Sequence, residues 1–348
     1  MPHRTPTPCI PDAALEIAGK HVGDILKHAI QLEEHEATVV VWDSQCELNA
    51  AIAQAYQRCL PEATFINYDS TSPETILAAF EILEPGDLVV LVQSTKFRLA
   101  AWRLRLELFK RDLKVIEHPH LLRMPGEEAL IYIDSLAYDP VYYRGVGRAL
   151  KARLEAAQVG IVHSRGEQLV FPAGFDKPGL NVGDYSEMKN VGGQFPIGEV
   201  FTESLDLEAV HGRVVIGLFG DMDFTVNRPE NPITLIVEKG RVVGTENSTP
   251  GFDTVLESIR ADEGEVWLRE FGLGLNKAFT RDRMVTDIGS YERMCGVHLS
   301  LGSKHSVYKK PQIKKKHARQ HVDVFVMTDS VTLDGQEIYC DEDWVVEA

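Results

Sequence analysis

The sequence has few of the features that would mark a disulfide scaffold, a membrane protein or a secreted protein. Its five cysteines are scattered and show no CxxC spacing, which favours reduced thiols over disulfides or a zinc knuckle. Apolar runs stay well short of the roughly 18 residues that span a membrane. The first residues, MPHRTPTPCIPDAA, lack the apolar core of a signal peptide. We therefore expect a cytoplasmic protein with no membrane contact.

Positive charge is also scarce. Lys and Arg number 36 against 52 Asp and Glu, which gives a formal net charge of −16. Such a balance argues against a protein whose whole surface binds nucleic acid or anionic lipid, and it leaves many carboxylates for metal ions. With 348 residues and 44% apolar content, the chain is long enough for two domains with large cores.

The N-terminal half shows an alternation of strand and helix patterns. Residues 37–43 (ATVVVWD) and 87–93 (DLVVLVQ) are short β-branched apolar runs, and helical patterns at 47–60 and 73–83 follow them. This alternation predicts an open parallel α/β domain over residues 1–170. We expect it to continue with strands at 114–117 and 159–164 and with a helix at 135–157.

After residue 171 the pattern changes to Gly, Pro and Asp-rich sequence followed by alternating strands. A Lys-Gly turn joins the strand-like segments 233–238 and 241–244, as in an antiparallel hairpin. We therefore predict that residues 171–348 form an antiparallel, sheet-rich α+β domain. Its other expected elements are strands at 212–220 and 322–328 and a helix at 254–261.

Several carboxylates and histidines of this second half lie beside glycine or within apolar strands rather than on charged helical faces. His321 and Asp323 are two residues apart in a strand pattern, so their side chains should leave the same face. Any one of these groups has an ordinary explanation as a solvated acid or a hydrogen-bonded core histidine. Together they match the oxygen and nitrogen ligand sets that hold Zn, Mn, Co or Fe. The candidate metal ligands are Glu199, Glu270, Glu292, His298, His321 and Asp323.

Four motifs in this half occur in an order that resembles the aminopeptidase T and aminopeptidase S family of metallopeptidases. They are GEVFT, EFGLGLN, a Glu followed by HLSLG, and HVD, and the resemblance runs from about residue 39 to 338, only in pattern at the N-terminal end. It implies that the six candidate residues hold two divalent ions (Zn, Co or Mn). It also implies that one of the glutamates is the general base, and Glu270 is our candidate for that role. It also implies a peptide substrate and a homodimer.

The sequence departs from the family after HLSLG, where a tyrosine is usual. Here Ser303, Lys304 and His305 follow, and Tyr308 stands three residues further on. His305 is the candidate catalytic replacement, as a hydrogen-bond donor to the tetrahedral oxyanion; the alternative is an exposed loop residue. The family also usually has a proline soon after EVFT, whereas this chain has Glu203 and Ser204 there.

The 2,5-dihydroxypyridine dioxygenases resemble the same scaffold and cleave an aromatic ring with one non-haem iron. By that resemblance, the dioxygenases keep the HxD pair and have a histidine at the position that Glu270 occupies in this chain. Since Glu270 is a carboxylate, the hydrolytic interpretation is favoured, but His298, His321 and Asp323 would also make an Fe(II) facial triad. The alternative function is therefore a ring-cleaving dioxygenase that acts on a dihydroxypyridine-like small molecule.

Two further features have ordinary interpretations. His118 and His120 flank a proline, and we expect such loop histidines to be solvated. The basic run at 309–319 (KKPQIKKKHAR) is expected to be an exposed loop, or else to attract anionic substrates. The main hypothesis is thus a metal-dependent aminopeptidase-like hydrolase with a peptide or small-molecule substrate and no nucleic-acid partner.

Overall fold

The computed structural model describes residues 10–99, 104–305, 307–313 and 318–347. The chain separates into two compact units that are not continuous in sequence. The first comprises residues 1–140, 183–197 and 283–290, and the second comprises 141–182, 198–282 and 291–348. The predicted division at residue 170 lies inside the second unit.

Strands outnumber helices in the described part of the chain. In chain order they are β1 Thr38–Trp42, β2 Thr64–Asn67, β3 Leu88–Val92, β4 Lys114–His118, β5 Gly160–Ser164, β6 Glu167–Phe171, β7 Gly179–Asn181, β8 Gly192–Gln194, β9 Glu199–Glu203, β10 His211–Gly220, β11 Val226–Asn227, β12 Ile233–Glu238, β13 Arg241–Glu246, β14 Leu268–Gly274, β15 Gly296–Leu301, β16 Val322–Val326, β17 Ser330–Leu333, β18 Gln336–Cys340 and β19 Asp343–Trp344.

The helices are mostly short. They are α1 Asp12–Asp24, α2 Glu47–Cys59, α3 Pro73–Glu81, α4 Leu104–Lys110, α5 Glu127–Ser135, α6 Pro140–Ala156, α7 Pro250–Glu263 and α8 Ile288–Tyr291, with a π-helical stretch at Ile25–Ile30 and 3₁₀ turns at Leu121–Arg123 and Leu207–Ala209. Within the described residues, no helix has the length and apolarity needed to cross a membrane.

The first unit contains a five-stranded parallel sheet in the order β2-β1-β3-β4-β8. Every residue of β3 is buried, as expected for a strand of a parallel sheet that is covered on both faces. Helix α3 begins where the sequence places a cap, because the Ser72 side chain accepts a hydrogen bond from the Thr75 backbone N–H and Pro73 occupies the first turn. The predicted parallel α/β arrangement is confirmed for this unit.

The predicted extension of the parallel series to residues 159–164 is wrong. Strand β5 forms there, but it pairs antiparallel with β6 and β17 in the second unit. Arg165 and Gly166, both with positive φ, make the two-residue turn that sends the chain straight back into β6. The helix predicted at 135–157 forms as α6 but begins later, at Pro140, and Ser135 is the last residue of the preceding helix α5.

The second unit is built on a fourteen-stranded antiparallel sheet. Its main path has the order β19-β18-β17-β5-β6-β10-β16-β15-β14-β9-β7, with β11 and β12 paired to β10 and β13 paired to β12. The β12–β13 hairpin turns at Lys239 and Gly240, both at positive φ, as the Lys-Gly pair predicts. Helix α7 is capped by Thr249, whose hydroxyl accepts from the Phe252 N–H. This unit confirms the predicted antiparallel sheet.

Candidate metal centre

Four neighbouring strands of the second unit, β16, β15, β14 and β9, place four of the six predicted ligands on one face: Asp323, His298, Glu270 and Glu199. Glu270 lies opposite Glu203, and Gly274 lies opposite Glu199, in the β14–β9 pairing. On the other side of β14, His298 lies opposite Gly272. Because side chains alternate between faces along a strand, residues two or four apart on β14 and β9 leave the same face. The same register places Asp323 opposite Ser300, two residues from His298.

Glycine in β14 allows the His298 ring to reach across the sheet. A Cβ at Gly272 would lie 2.0 Å from Nε2 of His298, so no larger side chain fits beneath the imidazole. The ring therefore lies over β14, and its Nε2 is 3.3 Å from Glu199 Oε1 and 3.3 Å from Glu270 Oε1. These three residues, all buried, form what we call the three-donor group.

The spacing of the three-donor group suits a divalent cation. Ligand atoms about 2.1 Å from a tetrahedral ion are roughly 3.4 Å apart, close to the separations of His298 Nε2 from its two carboxylate neighbours. Within the described residues, this is the one cluster of three or more such side chains whose donor atoms all lie within 4.8 Å of one another. Two oxygens and one nitrogen are a ligand set that Zn and Mn accept.

Gly272→Ala is expected to weaken metal binding strongly, because the new methyl group must push the His298 ring away from both glutamates. We expect the metal dissociation constant to rise at least about tenfold, as for other changes that misplace a ligand. Gly244→Ala, on β13, is the matched control, since its nearest neighbour would be Ile236 Cδ1 at 3.4 Å. Isothermal titration of both variants with Zn²⁺ measures the difference. Equal affinities in the two variants would show that His298 does not depend on this glycine.

Opposing effects set the protonation of the three-donor group without metal. Burial lowers the pKa of His298, but its contacts with Glu199 and Glu270 outweigh burial and raise that pKa to about 10. Burial also acts to raise the pKa of Glu270, yet His298 and His305 hold it well below its usual range. An imidazolium thus lies between two carboxylates in the metal-free protein, at the place where a cation would bind.

Metal affinity should therefore rise with pH between about 7 and 9. A cation needs neutral Nε2 on His298, whose proton is retained up to a pKa of about 10. Each pH unit below that pKa costs about 1.4 kcal/mol of metal-binding free energy. The metal dissociation constant should therefore fall roughly tenfold for each unit by which the pH rises. Titration against a chelating dye at several pH values gives the slope, and calorimetry in two buffers gives the proton released. An affinity independent of pH would remove His298 from the ligand set.

The second oxygen of Glu270 faces two other histidines. His305 Nε2 donates a hydrogen bond to Glu270 Oε2 at 2.7 Å, and His321 Nε2 lies 4.0 Å from the same oxygen. His321 Nε2 is also 3.0 Å from Asp323 Oδ1, so the HVD pair does project to one side as expected. The Nδ1–H of His321 donates to the Lys304 carbonyl at 3.0 Å, which leaves Nε2 directed at the carboxylates.

A buried ion pair holds the loop that carries His305. Arg269 donates to Glu203 at 2.8 Å and also to the backbone carbonyls of Ser303 and Tyr308. Glu203 Oε1 lies 4.0 Å from His305 Nδ1. Burial raises the pKa of Glu203 although Arg269 opposes the shift. The position expected to be either a catalytic donor or an exposed loop residue is thus a largely buried histidine in contact with Glu270.

The hydroxyl of Tyr308 contacts backbone carbonyls and not the predicted metal ligands. It donates to the carbonyl of Lys177 at 2.8 Å and contacts that of Phe201 at 3.1 Å. The ring packs against the imidazole of His305, with 5.0 Å between ring centroids. Of the two candidates for the role of the missing tyrosine, His305 is therefore the one that contacts Glu270.

Glu292 does not join the three-donor group. Its carboxylate pairs with the guanidinium of Arg293, and Arg293 Nη1 also lies 3.3 Å from Glu199 Oε2. The side chain of Arg293 is 7% exposed, so this cation is buried beside the predicted ligands. Arg269, Glu203 and Arg293 were not among the predicted site residues. The sequence signal that could have identified the two arginines is their position directly beside a predicted ligand, Arg269 before Glu270 and Arg293 after Glu292.

The remaining predictions concern the histidines and the basic run outside this site. His118 is fully buried, not solvated, and lies between the hydroxyls of Tyr56 and Tyr132, each at 2.8 Å. Burial lowers its pKa to about 3. In the basic run, Lys310 is buried and pairs with Asp176, so the predicted exposed loop is wrong at that residue. Residues 314–317 of the run lie outside the described residues.

Comparisons with known proteins give two related folds. No family model and no curated protein matches the sequence. The structure of 2,5-dihydroxypyridine dioxygenase from Pseudomonas putida KT2440 superposes with a TM-score of 0.65 at 17% identity, covering 96% of this chain and 98% of that one. Wild-type AmpT, an aminopeptidase T from Thermus thermophilus, superposes with a TM-score of 0.59 at 14% identity, covering 95% and 99%. At these identities the likeness shows a shared fold.

Proposed function

We propose that the chain is a metal-dependent hydrolase of the aminopeptidase type, acting on peptides through an activated water. The observation that carries the proposal is the position of Glu270. One of its oxygens lies 3.3 Å from His298 in the three-donor group, and the other accepts a hydrogen bond from His305 at 2.7 Å. A buried carboxylate placed in this way touches both a metal ligand and a group able to move a proton.

The residues fit a divalent cation, and Glu199, Glu270 and His298 would hold it. When bound there, such an ion lowers the pKa of water towards about 7 and polarises a carbonyl. The low pKa of Glu270 keeps it ionised at neutral pH, the form in which a carboxylate binds a cation or accepts a proton. His305, whose Nδ1 lies 4.0 Å from Glu203, would orient Glu270 by donating its Nε2–H to Oε2 of that carboxylate.

A ring-cleaving iron dioxygenase is the second candidate. Its supporting observations are the TM-score of 0.65 to the 2,5-dihydroxypyridine dioxygenase and the close approach of His321 to Asp323, two potential iron ligands. Against it stands the three-donor group, which has two carboxylates and one histidine instead of the two histidines and one carboxylate typical of such iron sites. The carboxylate-rich group favours the hydrolase.

A paired assay separates the two candidates. The metal-free protein is supplied with Zn²⁺, Co²⁺ or Mn²⁺ and tested on aminoacyl anilides and short peptides, and separately with Fe(II) and 2,5-dihydroxypyridine in an oxygen electrode. We expect hydrolysis and no oxygen uptake, with His298→Ala as the inactive control. Oxygen uptake with the aromatic diol and no turnover of any aminoacyl substrate would refute the hydrolase and support the dioxygenase.

A further inference from the structure

The buried guanidinium of Arg293 touches two carboxylates that the sequence predicts as metal ligands. It pairs with Glu292, and its Nη1 is 3.3 Å from Glu199 Oε2, the oxygen that does not face His298. The side chains of Arg293 and Glu199 are each 7% exposed. A fixed positive charge in a poorly solvated position competes directly with a metal ion for the same carboxylates.

The remaining carboxylate oxygen near the centre also has a partner. Glu270 Oε2 accepts from His305 at 2.7 Å, while Glu270 Oε1 belongs to the three-donor group. His321 and Asp323 lie 3.0 Å apart and are not part of the three-donor group. Within the described part of the chain, the structure thus assembles three donors at one place and gives the other nearby carboxylates cationic or hydrogen-bonding partners.

We infer that Arg293 serves as a built-in cation in place of a second metal ion, so that the centre binds one divalent ion at Glu199, Glu270 and His298. Glu292 is then a partner of Arg293 and not a ligand. This inference refines the proposed function, which requires an ion but does not fix the number. It departs from the two-ion centre that the family resemblance implies for the same residues.

The chemical consequence concerns which group holds the substrate amine. With one ion committed to the water and the carbonyl, a second ion is not available to bind a free α-amine. The carboxylates near the ion, and Asp323 beside His321, are the groups of suitable charge. In a one-ion centre, a free α-amine would have to be bound by ion pairing with these carboxylates.

The test is the number of ions bound per chain, measured without any assay of turnover. Full-length protein is stripped with chelator, dialysed to equilibrium against micromolar Zn²⁺ or Mn²⁺, and analysed for metal and protein content. We expect one ion per chain for the wild type and for Arg293→Lys, which keeps the charge. Arg293→Met removes the charge and keeps an unbranched side chain, uncovers Glu292 and Glu199 Oε2, and should raise the count to two.

Two ions in the wild type, or one ion in Arg293→Met, overturns the role of Arg293 and leaves the hydrolase proposal standing. No bound ion in any form overturns both. Should Arg293→Met fail to fold, Glu292→Gln provides the decision, with circular dichroism as the check on folding. We expect it to keep one ion with affinity within about threefold of wild type, and loss of that ion would make Glu292 a ligand.

Discussion

Glu270→Gln should retain the fold and lose most of the hydrolytic turnover. The amide has nearly the same shape, but it carries no negative charge for a cation and accepts no proton as a base. Loss of a general base typically costs about 10² to 10⁴ in rate, and the weakened metal site adds to this loss. We therefore expect kcat/KM to fall by at least about 10²-fold, with less metal bound after dialysis.

The matched control for this variant is Glu238→Gln on β12, which changes the same atoms at an exposed position of the same sheet. Steady-state kinetics on an aminoacyl anilide and elemental analysis of both proteins give the comparison. Glu270→Gln with normal metal content and normal turnover would mean that this carboxylate is neither ligand nor base. The position of Glu270 between His298 and His305 would then have no catalytic meaning.

His298→Ala should remove the metal ion altogether. The three-donor group would be left with two carboxylates. In the wild type, the imidazole over Gly272 lies between these carboxylates and contacts both. We expect the dissociation constant for Zn²⁺ to rise at least about 10²-fold, with activity lost in the same proportion. His211→Ala is the control, since His211 is an exposed strand histidine whose Nδ1 contacts a local carbonyl. Calorimetric titration of the two variants measures the effect.

A melting curve keeps this variant interpretable. The metal-free His298→Ala protein loses an imidazolium that is paired with Glu199 and Glu270, so some loss of stability is expected. In the metal-free wild type, this pairing contributes stability that is fully present below about pH 6.5 and is lost as pH rises towards 10, because the folded-state pKa is raised. Unchanged Zn²⁺ affinity in a folded His298→Ala protein would remove this residue from the site.

The sequence allowed both sheets and much of the site to be predicted, for identifiable physical reasons. Apolar β-branched runs such as residues 87–93 predict buried strands, and two-residue spacing places His321 and Asp323 on one side. Both follow from local geometry. The hairpin at Arg165 and Gly166 was missed because β5 has the same apolar character as a parallel strand, and only the pairing partner distinguishes the two.

The contacts that decide which predicted ligands face a metal ion and which pair with an arginine could not be predicted from local sequence patterns. Glu292 and Glu199 are far apart in sequence, and whether they meet a metal ion or Arg293 depends on strand register and on side-chain direction. The same applies to Arg269, which reaches Glu203 on the neighbouring strand β9 and fixes the His305 loop. Spacing identifies residues able to bind metal, while the cations competing for them emerge only from the packed structure.

The most direct test of the metal centre is anomalous diffraction from crystals grown with Zn²⁺ or Mn²⁺. We expect one strong anomalous peak per chain, about 2.0–2.2 Å from His298 Nε2 and from one oxygen each of Glu199 and Glu270. Glu292 should remain paired with Arg293 in the same map. A peak bound by Glu292, or no peak beside His298, would contradict the centre described here.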